Sequence, residues 1–125
     1  MIAGRRVLVA EDEFLLARDM ADAFAKLGVE TIGPAGTVKR ALALVEHGGH
    51  LDGAVLDIRL HGEMVFSVAE ALRARRVPFV FTTGYNERAV PDRYKDVARF
   101  EKPFNPAQVA RALLSDTGDG RLCSA

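Results

Sequence analysis

Four apolar runs in this chain end on residues that can do chemistry, and the residue types belong together. Val7-Leu8-Val9-Ala10 runs into Glu11-Asp12-Glu13, Ala54-Val55-Leu56 into Asp57-Ile58, Phe79-Val80-Phe81 into Thr82-Thr83-Gly84, and Val97-Ala98-Arg99-Phe100 into Glu101-Lys102-Pro103. If these runs are neighbouring parallel strands, acids, a hydroxyl and an ammonium converge on Asp57 along one sheet edge. A loop built to cradle a free phosphate would place glycines and small hydroxyls after the first strand, as nucleotide and flavin sites do. Glu11, Asp12 and Glu13 repel such a ligand. They suit a hard divalent cation instead, since Mg²⁺ takes one or two carboxylates, keeps several waters and leaves room for a phosphoryl oxygen. With the cation offsetting repulsion, Asp57 becomes a nucleophile toward phosphorus, Lys102 a fixed positive charge on the other side, and Thr83 a hydroxyl donor to a phosphoryl oxygen. Phosphoryl transfer asks mainly for positioning and charge stabilisation, and a carboxylate nucleophile yields an aspartyl phosphate.

The segments between the runs must hold those ends in place, and they read as helices. Phe14 to Leu27 carries Leu16, Met20, Phe24 and Leu27 at helical spacing and stops at Gly28. A weaker strand, Val29-Glu30-Thr31-Ile32, is expected to end at Gly33-Pro34. Thr37 can cap a helix with Val38, Ala41, Leu42 and Val45 on one face, closed by Gly48-Gly49. Val65, Val68, Ala69 and Leu72 mark a third helix, and Asn105-Pro106 starts another that buries Val109, Ala110, Leu113 and Leu114. Five strands alternating with helices imply an α/β fold, a doubly wound five-stranded parallel sheet flanked by helices. Ligands of such sheets bind beyond the carboxyl ends of the strands, the edge already singled out.

The chain of 125 residues, 49% hydrophobic, suits a single domain over residues 1–115, with a polar tail over 116–125. Seventeen basic residues balance 17 acidic ones, which argues against nucleic acid or an anionic membrane as partner. No run approaches the roughly 20 apolar residues of a membrane span, and the N-terminal run is too short for a secretory signal, so the expected location is cytoplasmic. Cys123, the single cysteine, excludes a disulfide framework and a thiolate metal site. His47, His50 and His61 lack ligand spacing and read as solvated, as do Arg73, Arg75 and Arg76 at a helix end, unless these arginines dock an acidic partner. Taken singly, Glu11 and Asp12 could be surface acids capping the helix near Phe14, and Asp57 a solvated strand-end carboxylate.

Together, Glu11-Asp12, Asp57, Thr83 and Lys102-Pro103, in that order and separated by helical segments, resemble the receiver domain of two-component response regulators. The resemblance covers about residues 5 to 115. Phe79-Val80-Phe81-Thr82-Thr83-Gly84-Tyr85 also resembles a stand-alone subgroup whose fourth strand ends in a Phe-Ala-Thr-Gly-type motif. The resemblance implies a flavodoxin-like, CheY-like fold with strand order 2-1-3-4-5. It implies phosphorylation of Asp57 by the phosphohistidine of a sensor histidine kinase, with Thr83 and Lys102 assisting. It implies Mg²⁺ bound directly by Asp12 and Asp57 and by the backbone carbonyl of Arg59, with Glu11 acting largely through water. It also implies a cis Lys102-Pro103 bond, and a partner that is either a histidine phosphotransfer protein receiving the phosphoryl group or an effector that it switches.

Two departures bear on signalling. Many receivers carry an aromatic three residues before the lysine, and Arg99 occupies that position here; Phe100, on the opposite face of its strand, cannot substitute. Asn86 to Val90 allows about one helical turn before Pro91, so a long fourth helix is not expected. Residues Tyr85 to Tyr94 are therefore expected to sample several conformations, narrowed when Thr83 engages the phosphoryl group and draws in Gly84 and Tyr85. Alternatives from other classes stay open on sequence alone. An aspartate-nucleophile phosphatase would want a general acid two residues after the nucleophile, where Arg59 cannot donate a proton. A flavodoxin-like electron carrier conflicts with the acidic first loop, and a degenerate receiver acting as a binding module would have no need of Asp57, Asp12 and Lys102.

Overall fold

The computed structural model describes residues 2–84 and 90–115. Five parallel strands form the main sheet: β1 (Arg6–Ala10), β2 (Glu30–Ala35), β3 (Gly53–Asp57), β6 (Phe79–Thr83) and β7 (Arg99–Glu101), in the order β2-β1-β3-β6-β7. The two remaining strands, β4 (Arg59–Leu60) and β5 (Glu63–Met64), pair only with each other in a small antiparallel hairpin. With the hairpin set aside, the order is the expected 2-1-3-4-5. The helices are α1 (Phe14–Lys26), α2 (Val38–His47), α3 (Phe66–Ala74) and α4 (Pro106–Leu114). Thr37 and Asn105 cap α2 and α4 as expected, through Arg40 N–H to Thr37 Oγ1 at 3.1 Å and Ala107 N–H to Asn105 Oδ1 at 2.9 Å.

Every residue of β3 and β6 is buried, as strands covered on both faces require. Alternation divides the core in two. Val7, Val9, Val55 and Val80 pack with Met20 and Phe24 of α1 and Val109 and Leu113 of α4. Leu8, Leu56, Phe79 and Phe81 pack on the other face with Ala41 and Val45 of α2 and Val68 and Leu72 of α3. Because residues directly paired between parallel strands share a face, this division also says which face each strand-end residue serves.

Three local features differ from the sequence reading. β2 does not stop at Gly33-Pro34 but continues to Ala35, with a register shift between Leu8 and Ala10 of β1. Proline is tolerated there because β2 is an edge strand, and Gly33 adopts φ 103°, where an added Cβ would lie 2.8 Å from Ala35 N. The peptide bonds Gly33-Pro34 and Lys102-Pro103 are both cis. β7 begins at Arg99 rather than Val97, because Val97 N–H closes a turn onto Tyr94 O (3.1 Å). On α1 the buried residues are Ala17, Met20 and Phe24, leaving Leu16 and Leu27 half-buried. A single 3₁₀ turn, Asp92–Tyr94, follows Pro91, while Tyr85, the other residues to 89, and the tail from 116 onward, Cys123 included, lie outside the described residues.

Candidate functional site

Four of the five strands, β1, β3, β6 and β7, deliver chemically active side chains to the same edge. Glu11, the residue after β1, is fixed through its backbone, its N–H donating to Ala35 O (2.9 Å) at the end of the prolonged β2. Its Oε2 accepts the Glu13 N–H at 3.0 Å, so the chain entering α1 folds over the carboxylate. Glu11 is consequently 3% exposed. It is therefore a buried acid, not a surface one. Asp12 is half-buried, and its Oδ2 accepts the His61 N–H at 2.8 Å. That donor comes from the β4–β5 hairpin, whose turn residues His61 and Gly62 have φ of 48° and 82° and match the two-residue turn of hairpins. The His61 side chain is exposed as expected, but its backbone amide anchors an acid of the site.

Asp57 ends β3 and is 6% exposed. Its Oδ1 accepts the Arg59 N–H at 3.3 Å and its Oδ2 accepts from Lys102 Nζ at 2.8 Å. Lys102 lies just past β7, tied to the neighbouring strand by its N–H donating to Thr83 O (2.9 Å). From there its ammonium reaches Glu13 Oε2 at 2.9 Å and both Glu11 oxygens at 3.3 Å. Burial works against the Lys102 charge, yet its bonds to Asp57 and Glu13 and the attraction of Asp57 and Glu11 hold it well above the ordinary lysine range. Burial likewise dominates Glu11 and pushes its carboxyl up to about 7; the Glu13 N–H opposes the shift, the Asp57 charge adds to it, and Lys102 opposes it.

Thr83 closes β6 and is buried, with Gly84 following it. Thr83 shares a face with Phe81, and Arg99, the direct partner of Phe81 on β7, is exposed on that face. An aromatic does enter this face, from an unexpected position. Tyr94 is fully buried, 5.7 Å from the Phe66 ring and 5.8 Å from Phe81. The Arg73 and Arg93 guanidiniums sit 4.9 and 4.8 Å from its ring centre, and its hydroxyl donates to Glu70 Oε2 at 3.0 Å. Arg73 thus packs on a core aromatic rather than ending a solvated helix.

Glu11, Asp12 and Asp57 each offer a carboxylate oxygen within 4.8 Å of one another. The set fits Mg²⁺, since the donors are hard oxygens and the buried Glu11 Oε1, although 3.3 Å from the Lys102 ammonium, accepts no hydrogen bond among the described residues. Phe14 and Leu15 open α1 beside these acids with exposures of 74% and 70%, the large exposed hydrophobics among the described residues. Sequence periodicity passed over them, because both lie off the buried stripe of α1. An open cleft of about 490 Å³ runs from Asp12 past Phe14 and Ala17 to Pro34.

The burial of Glu11 gives a pH prediction for the metal-free protein. With its folded pKa raised from 4.5 to about 7, Glu11 contributes stability that is fully present below the lower value and is lost as pH rises through the upper one. The melting temperature without Mg²⁺ should therefore fall as pH rises from 4.5 to about 7. Glu11→Gln should flatten that slope, as should Mg²⁺ by compensating the charge. An equal slope in Glu11→Gln would show that other groups set it.

The geometry has counterparts among known proteins. SdrG from Sphingomonas melonis Fr1 is 43% identical, with a TM-score of 0.77 over 90% of this chain and 95% of that one. A response regulator receiver protein from Sinorhizobium medicae WSM419 is 26% identical, with a TM-score of 0.75 over 94% of this chain and 96% of that one. The chain belongs to the response regulator receiver family. The transcriptional regulatory protein PdtaR of Mycobacterium tuberculosis is 31% identical over 114 residues, covering 87% of this receiver chain and 55% of the relative. The receiver spans about half the length of the curated relatives it matches. No family model matches it. Among the described residues no helix of the receiver is long and apolar enough to cross a membrane.

Proposed function

We propose that this receiver, over residues 1–115, is a phosphoacceptor that takes a phosphoryl group on Asp57 from the phosphohistidine of a sensor histidine kinase. The observation that supports this most strongly is Lys102 Nζ at 2.8 Å from Asp57 Oδ2, beside the Glu11 and Asp12 carboxylates. An oxygen of Asp57 attacks phosphorus, the P–N bond to the kinase imidazole breaks with its electron pair going to nitrogen, and an acyl phosphate remains on Asp57. Lys102 neutralises charge that builds on the phosphoryl oxygens, and Thr83 donates its hydroxyl to one of them. Asp12, Asp57 and the Arg59 carbonyl would hold Mg²⁺, with Glu11 acting through water. When bound, the ion offsets repulsion between the carboxylates and the anionic donor.

In this reading the domain is a regulatory phosphoacceptor working in the cytoplasm. It either relays its phosphoryl group to a histidine phosphotransfer protein or switches an effector protein, with Thr83, Gly84, Tyr85 and Arg99 as the signalling residues. A turnover phosphatase is disfavoured by the exposed Arg59 at the position where its general acid would stand. Intact mass after incubation with a small phosphodonor and Mg²⁺ tests the reading. A stable single adduct on Asp57 is expected; turnover of the donor without an adduct would indicate a phosphatase, and no reaction a binding module.

Two variants separate the metal from the partner. Asp12→Asn should weaken Mg²⁺ binding by about tenfold or more, through loss of one carboxylate ligand, and slow phosphorylation in proportion at low Mg²⁺. Unchanged affinity, read by titration calorimetry, would remove Asp12 from the ligand set. Phe14 and Leu15 offer the kinase an apolar footing beside the acids. Phe14→Ser should slow transfer from the kinase by about tenfold while leaving phosphorylation by a small donor unchanged. Equal slowing with both donors would assign Phe14 to the site itself.

A further inference from the structure

The phosphoacceptor reading leaves the buried hydroxyl of Thr82, beside the site, without a role. Thr82 is 1% exposed, and its Oγ1 has no hydrogen-bond partner among the described residues. A buried, unpaired hydroxyl is costly, and an apolar side chain of the same shape would avoid the cost. Its position is specific. In the parallel ladder Thr82 pairs directly with Asp57, with Ile58 N–H donating to Thr82 O at 3.0 Å, and on its other side it pairs directly with Phe100. Val55 and Val80, two residues before Asp57 and Thr82, both belong to the core under α1 and α4. Asp57 and Thr82 therefore present their side chains on that same face of adjacent strands, whereas Thr83 belongs to the opposite one. Lys102, two residues past Phe100 and just beyond β7, brings its ammonium to Asp57 Oδ2 at 2.8 Å.

In the unphosphorylated state both Asp57 oxygens already accept hydrogen bonds, Oδ1 from the Arg59 amide and Oδ2 from Lys102. We infer that Thr82 is a second hydroxyl of the phosphoryl-binding set, donating to an oxygen of the Asp57 side chain once that side chain carries a phosphoryl group. Phosphorylation supplies new acceptor oxygens and gives Lys102 other anions to meet, so the interaction Thr82 lacks in the free protein becomes available in the modified one. A hydroxyl that is unsatisfied before modification and satisfied after it favours the modified state by the difference. The two threonines then approach the same group from opposite faces of β6. This inference rests on Asp57 being the phosphoacceptor.

Beryllofluoride with Mg²⁺ serves as the probe, its affinity measured for the wild-type chain and for Thr82→Val, Thr82→Ser and Thr31→Val. Thr31 is the control, since its hydroxyl is also buried and unpartnered but belongs to β2, away from Asp57. Thr82→Val should melt no lower than wild type and bind beryllofluoride about fivefold more weakly, the loss of one net hydrogen bond. Thr82→Ser should bind as wild type does, and Thr31→Val should leave binding unchanged. Should valine not be accommodated, Thr82→Ala removes the same hydroxyl and should show the same loss. Wild-type affinity in a folded Thr82→Val or Thr82→Ala would overturn the inference and make Thr82 a core filler, with the phosphoacceptor reading intact. A wild-type chain that binds no beryllofluoride and takes no phosphoryl group would overturn both.

Discussion

Asp57→Asn should take up no phosphoryl group from a small phosphodonor in the presence of Mg²⁺, under conditions where the wild-type protein gains one. The amide keeps the shape of the carboxylate while removing the nucleophile, so the loss is expected to be complete rather than partial. It should not come from unfolding. Asp57 is one of three acids whose oxygens crowd within 4.8 Å, and deleting its charge relieves their repulsion. Lys102 loses the negative charge of its 2.8 Å partner but retains Glu13 at 2.9 Å and Glu11 at 3.3 Å. Asp57→Asn should accordingly melt at or above the wild-type temperature, and the dependence of stability on Mg²⁺ should shrink. A full-strength adduct in this variant, mapped by peptide mass to Asp12 or Glu11, would move the phosphoacceptor to that residue and undo the assignment.

Those strand ends were legible because their chemistry and their placement have separate causes that agree. Continuous apolar runs such as Ala54-Val55-Leu56 and Phe79-Val80-Phe81 mark strands buried on both faces, and alternation with helices makes the sheet parallel, which puts every carboxyl end on one edge. What escaped the sequence depends on contacts that no local pattern encodes. Glu11 resembles any acid at a helix start; its burial comes from Ala35 O, supplied by a strand that continues through Gly33-Pro34 against the usual meaning of that dipeptide. Asp12 is anchored by the His61 amide, which needs a hairpin of two-residue strands, too short to show a period. Tyr94 sits in a charged stretch, Pro-Asp-Arg-Tyr-Lys-Asp, with no apolar periodicity at all. It can be buried there because Glu70 accepts its hydroxyl and two arginines cover its ring.

The position of Tyr94 also changes what the absence of an aromatic at Arg99 means. Arg99 is exposed on β7 opposite Phe81, while Tyr94 packs edge-on against that same Phe81 from the turn before β7. The face of the sheet on which Thr83 ends is therefore already filled by an aromatic anchored to α3. A ring held by Phe66, two guanidiniums and a carboxylate has little freedom to swing. On the proposed reading, the response to Thr83 runs through the segment after Gly84 or through the Tyr94 contacts with α3, and Arg99 takes part from its exposed place beside Phe81 rather than as a ring that swings inward.

Lys102→Ala should separate two electrostatic effects that point in opposite directions. The ammonium shares one small volume with the candidate Mg²⁺ ligands, 2.8 Å from Asp57 Oδ2 and 3.3 Å from both Glu11 oxygens. A positive charge so close opposes the binding of a second cation, so its removal should tighten Mg²⁺ binding by several-fold at low ionic strength. Phosphorylation should nevertheless slow by about a hundredfold or more, the usual loss when one fixed charge-stabilising group is taken from a transition state. Lys102→Arg should not restore the rate, because a planar fork cannot occupy the point between three carboxylates that the compact ammonium fills. Removing the charge also leaves Glu11 without its compensating cation, so its carboxyl should titrate higher still and the fall in metal-free stability should extend to higher pH. Calorimetric Mg²⁺ titration and single-turnover phosphorylation by a small donor read the two effects independently. Tighter Mg²⁺ binding with an undiminished rate would mean that Lys102 serves only to neutralise the resting site.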